Sequence, residues 1–144
     1  MHLLKSLAMS VVLATSTLAQ SIVVDAPSAG ANIPLASNLT VQTERHNSLS
    51  SSKELEVSVA IGYTVCDVDG GCGPSAQLLY NGPYTPTLHM PTHPDQPSFY
   101  QNFTFPSPFS APGPVQLTVV HFFDVGASED IPLVEALRVD FNIV

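Results

Sequence analysis

An all-β domain is what this sequence predicts, and three observations predict it. Apolar and polar residues alternate with period two in a series of short runs. No stretch carries a helical period. The thirteen prolines fall almost wholly in the gaps between the runs, where a sheet tolerates them and a helix would not.

The elements can be taken in order. Ile22 to Asp25 supplies a first short strand. In Leu39 to Arg45, Leu39, Val41 and Thr43 share one face, with Thr40, Gln42 and Glu44 on the other. From Glu54 to Tyr63, Leu55, Val57, Val59, Ile61 and Tyr63 alternate with Glu54, Glu56, Ser58, Ala60 and Gly62. A short strand follows at Leu78 to Tyr80. Phe99, Phe103 and Phe105 then line one face of a strand whose other face carries Tyr100, Asn102 and Thr104. Val115, Leu117, Val119, His121 and Phe123 form the next. The last runs from Val134 to Ile143, with Leu137, Val139, Phe141 and Ile143 inward and Arg138, Asp140 and Asn142 outward. Turn-forming clusters separate them: Pro27 to Gly30, Ser48 to Ser52, Asp69 to Gly71, Asn81-Gly82-Pro83, Pro86 to Pro97 and Pro106 to Pro114. About seven short strands at this spacing read as one immunoglobulin-like β-sandwich; a small β-barrel is the alternative.

The N-terminus has the three parts of a secretory signal: Lys5, an apolar and small-residue run from Leu7 to Leu18, and small residues at Thr17 and Ala19. The expected organisation is a signal peptide at 1–19 and a single domain at 20–144, secreted and extracellular. The run is too short to span a bilayer, which needs about 20 apolar residues, so no membrane insertion is expected. After cleavage near Gln20 the cations are Arg45, Lys53 and Arg138, against twelve acids. A surface this acidic repels nucleic acid and anionic lipid. Proteins, neutral polymers or cationic surfaces are left as partners.

Cys66 and Cys72 are the only cysteines. In an oxidising compartment so close a pair predicts a disulfide fixing one turn; two free thiols are the alternative. Asn38-Leu39-Thr40 and Asn102-Phe103-Thr104 are glycosylation sequons, and Asn102 lies opposite Phe103 and Phe105, as a glycan requires. Asp67-Val68-Asp69-Gly70 opens like a calcium loop, but Cys72 and Leu78 stand where its glycine and closing glutamate belong. His89 and His93 have a metal-like spacing, yet Pro91 between them and Pro94 after them rule out the helix that would align the rings. No Gly-x-Ser-x-Gly or other nucleophile signature occurs. His2 leaves with the leader, so a copper centre on an N-terminal histidine is not expected. His121 reads as a satisfied, half-buried histidine. No cofactor, no metal and no catalytic residue are therefore expected. Carbohydrate stacking would fall to Tyr63, Tyr80, Tyr84 or Tyr100, since there is no tryptophan.

Several segments resemble the fungal necrosis-inducing secreted protein family. In order they are Val59-Ala60-Ile61-Gly62, the cysteine pair, Leu79-Tyr80-Asn81-Gly82-Pro83-Tyr84, Tyr100-Gln101-Asn102-Phe103-Thr104, Val120-His121-Phe122 with Val125-Gly126-Ala127, and Glu135-Ala136-Leu137. The resemblance implies a secreted effector that suppresses plant pattern-triggered immunity by engaging host receptor-like kinases, and that induces necrosis. It brings no catalytic motif. The alternative is a non-catalytic module of the fungal cell wall, associated with carbohydrate. Partner contact is expected at the Cys66–Cys72 hairpin and at Tyr80, Asn81, Gly82, Pro83 and Tyr84. There Asn81-Gly82 would turn the chain and hold two tyrosines near each other. The opposing expectation is that both rings pack onto the sandwich edge.

Overall fold

Alternation becomes two facing sheets in the computed structural model, which describes residues 22–46, 53–89, 98–126 and 131–144. The expected leader, the Ser48 to Ser52 gap and His93 lie outside those residues. Among the described residues the strands are β1 (Ile22–Ala26), β2 (Asn32–Ile33), β3 (Leu39–His46), β4 (Lys53–Val65), β5 (Gln77–Pro83), β6 (Thr87–His89), β7 (Ser98–Phe105), β8 (Gly113–Gly126) and β9 (Ile131–Ile143). One sheet has the order β1-β3-β7-β6 and the other β2-β9-β8-β4-β5. Every pairing is antiparallel except β2 with β9. With β2 and β5 set aside as edge additions, the remaining seven strands divide between the sheets as in an immunoglobulin-type sandwich.

The expected all-β architecture is present, with two strands more than the alternation announced. β2 is two residues long, and β6 lies inside what reads as the proline-rich gap from Pro86 to Pro97. Its three residues pair with β7 alone, an edge position where neighbouring prolines do no harm.

The core lies between the inner faces. Ile22, Leu39, Val41 and Phe103 come from one sheet; Val59, Ile61, Val115, Leu117, Val119, Phe141 and Ile143 come from the other. The Pro106 to Pro114 connection closes one end: Phe109 sets its ring edge-on to Tyr63 and to Phe141. The Tyr63 hydroxyl lies 2.7 Å from Gln77 Oε1 and 3.0 Å from the Pro108 carbonyl.

One correction concerns β4. Regular alternation would bury Val57 and expose Glu56. Instead a β-bulge between Glu56 and Ser58 makes Val57 an extra residue opposite β8. Beyond it the parity reverses: Glu56 turns inward, and Val57 is 48% exposed.

A second irregularity, between Ile61 and Gly62, brings β5 close to β4. A Cβ on Gly62 would stand 2.9 Å from the Gln77 carbonyl oxygen, a backbone atom that cannot swing aside. Gly62→Ala is therefore expected to cost about 1–3 kcal/mol in urea denaturation. At Gly71 the nearest atom is the Asp67 carboxylate at 4.0 Å, so Gly71→Ala should stay within about 0.5 kcal/mol of the parent.

Candidate interaction surface

The two cysteines lie in the connection from β4 to β5 and are joined as a disulfide. Asp67 N donates to the Gly71 carbonyl, Gly70 N donates to that of Asp67, and Gly70 sits at φ +86°, a left-handed position that glycine takes without strain. Cys66 N donates to the Pro114 carbonyl at 2.9 Å, tying the hairpin to the start of β8. Val68 at its tip is 92% exposed. This half of the expected contact surface is open to solvent.

The other half is not. Asn81 and Gly82 make no turn; they continue β5, paired with Ala60 and Val59. Tyr84 is 1% exposed and belongs to the core, so it cannot contact a partner. Tyr80 is partly buried, 4.9 Å from the Phe103 ring, and its hydroxyl donates to the Pro83 carbonyl. Gly82 makes that bond possible, because a Cβ there would lie 2.8 Å from the Tyr80 hydroxyl oxygen. The glycine serves ring packing, not chain reversal. Asn81 and Pro83 remain exposed.

Sequence reasoning missed the polar cluster beneath. His121 is completely buried rather than half-buried. Its Nδ1 lies 2.9 Å from Glu135 Oε1, and its Nε2 meets Glu56 Oε2. Arg45 Nε pairs with Glu56 Oε1 at 3.2 Å, and the Arg45 guanidinium lies over the Phe99 ring. Glu135 Oε1 also accepts from Ile22 N. Phe123 stacks on the imidazole, and Tyr84 meets it edge-on.

Burial alone would push the His121 pKa down, but the hydrogen bonds its ring donates to the Glu135 and Glu56 carboxylates outweigh it and hold the pKa above the usual histidine value. With His121 protonated, two cations face two carboxylates and the site is neutral. Burial has the opposite effect on the Tyr84 phenol, whose pKa it raises to about 12. Chemically this is a clamp: both imidazole nitrogens are engaged by carboxylates. It ties β8 to β4 and β9, and through Arg45 and Ile22 to the opposite sheet.

The clamp has a counterpart outside. Ser58, Phe122 and Val134 form one row across β4, β8 and β9, and Ala60, Val120 and Ala136 form the next. Phe122 is 38% and Val134 61% exposed, with Val57 at the bulge beside them. Further along, this face carries more polar residues beside the exposed Leu78: Thr118 pairs with Arg138, and Gln116 Nε2 donates to Asp140 Oδ1 at 2.9 Å. Val57, Phe122 and Val134 thus cluster on one half of this face, the arrangement that marks contact sites on soluble domains. The sequon residues Asn38 and Asn102 are both exposed, Asn38 just before β3 and Asn102 on β7. No helix among the described residues is long and apolar enough to cross a membrane. Compared with protein-family models and with curated proteins, the chain matches none.

Proposed function

We propose that this chain is a secreted, non-catalytic interaction protein of the effector type, whose partner is a host protein of the receptor-like kinase class. Engaging that partner suppresses plant pattern-triggered immunity, and excess protein induces necrosis. The observation that carries the reading is the apolar half-face formed by Val57, Phe122 and Val134. The engagement of both His121 nitrogens supports a structural rather than a catalytic histidine. The disulfide fits an oxidising compartment. The ordered resemblance to necrosis-inducing secreted proteins supplies the partner class, and the chain's net charge of −8 favours a partner with a basic rim.

The test is co-precipitation from plant membrane extracts with the purified secreted protein. A receptor-like kinase should be retained by the parent and lost, by about tenfold or more, with Phe122→Ser combined with Val134→Ser. Melting temperatures of the two proteins should differ little, because these side chains are exposed. Retention of the kinase by the double variant at parental strength would remove this face from the proposal; retention of no kinase would remove the partner class. A second reading, a cell-wall or carbohydrate-associated module, is favoured by an open groove on the four-stranded sheet, lined by Gln42, Thr85, Thr87, Tyr100 and Asn102 among others. Sedimentation with chitin, glucan or cellulose separates it from the first.

A further inference from the structure

The outer face of the four-stranded sheet differs from that of its neighbour. Alternation along β7 sets Tyr100, Asn102 and Thr104 on it in succession, opposite Glu44, Gln42 and Thr40 of β3. Asp25, Gln42, Thr85, Thr87, Tyr100 and Asn102 line an open groove there of about 570 Å³. Amides and hydroxyls predominate in that lining, with one carboxylate and one aromatic ring. Such a lining suits a neutral, hydroxyl-rich molecule.

Its occupant is indicated by Asn102, the acceptor of the sequon Asn102-Phe103-Thr104. Gln42 Nε2 donates to Asn102 Oδ1 at 2.9 Å. That bond takes the amide oxygen and not Nδ2, the atom to which a glycan is joined, and Asn102 itself lines the groove. Tyr100 stands two residues earlier on the same face, about 7 Å along the strand, a spacing that lets a sugar on Asn102 lie against its ring. Glu44 holds the Tyr100 hydroxyl. Asn38 has no such setting; it precedes its strand and lines no part of the groove.

We propose that the groove is the cradle of the chain's own N-linked glycan, with the first N-acetylglucosamine on Asn102 packed against Tyr100 and Thr87. Attachment joins Nδ2 to C1 of the sugar of a lipid-pyrophosphate-linked oligosaccharide. The C1–O bond to pyrophosphate breaks, and Nδ2 loses one proton. The inference rests on the secretion reading and goes beyond it, because it assigns the groove to a covalent ligand of this chain and withdraws it from free polysaccharide.

The test uses protein secreted from a eukaryotic host, mapped by peptide mass spectrometry and then trimmed by an endoglycosidase to one sugar per site. Asn102 should be occupied. The trimmed protein should melt about 3 °C above Asn102→Gln and Thr104→Ala, and that gap should vanish when Tyr100→Ala is added. If Tyr100→Ala does not fold, proton NMR of the trimmed parent decides, since a sugar over the ring shows upfield-shifted resonances. Occupied Asn38 with empty Asn102 overturns the site and leaves secretion standing; retention in the cell without sugar at either position fails secretion itself. An unchanged gap in the Tyr100→Ala background, or unshifted sugar resonances, overturns the cradle.

Discussion

Replacing His121 by leucine should lower stability by about 3–5 kcal/mol, because it leaves two largely buried carboxylates without the cation between them. That corresponds to a fall in Tm of roughly 10–20 °C for a domain of this size. Leucine keeps most of the side-chain volume, so the loss reports charge and hydrogen bonding rather than a cavity. The parent should also show a pH dependence that His121→Gln lacks. Glu135 and Glu56 hold the folded-state pKa of His121 above the unfolded value, which is about 6.5. The folded state therefore binds the proton more tightly than the unfolded one. Its contribution is fully present below about pH 6.5 and is lost as pH rises through the raised folded pKa. Urea denaturation between pH 6 and pH 9 should show parental stability falling as pH increases, and a flatter profile for His121→Gln. Equal slopes in the two proteins would mean that His121 is neutral throughout and that Arg45 alone balances the acids.

Much of that clamp stood in the sequence unread. Stepping back by twos from Ile143 through Phe141, Val139 and Leu137 reaches Glu135 at core parity; the same step along β8 reaches His121 and along β3 reaches Arg45. Three ionisable residues at inward positions on three strands are a recoverable signal, since buried charge is tolerated only with partners. Glu56 is different. The run from Glu54 to Tyr63 reads identically with or without an added residue, so the bulge that turns Glu56 inward and Val57 outward left no mark on the pattern. The strands were legible because alternation and proline placement are local properties. The short β2 and β6 were not, because two or three residues carry no period and exist only through pairing with β9 and β7. Asn81-Gly82 misled for a related reason: that dipeptide favours a hairpin turn, and here the glycine instead clears space for a ring two residues earlier.

Tyr84 is where the sequence allowed two opposed readings, and its variants should separate core from surface. The ring is among the largest fully buried side chains, set edge-on to His121. Tyr84→Ala removes that contact and opens space beside the clamp, and should cost about 3–5 kcal/mol. Tyr84→Phe retains the ring and removes only a buried hydroxyl that has no hydrogen-bond partner, so stability should stay within about 0.5 kcal/mol of the parent or rise slightly. Tyr80→Ala should fall between them, since that ring is half outside and has one hydrogen bond to lose. Thermal denaturation of the three variants gives the order directly. Partner binding by Tyr84→Phe should equal that of the parent, because the hydroxyl is buried inside the domain. A Tyr84→Ala protein as stable as its parent would place the ring outside the core. The 80–84 segment, rather than the Val57, Phe122 and Val134 face, would then be the surface to test against the kinase.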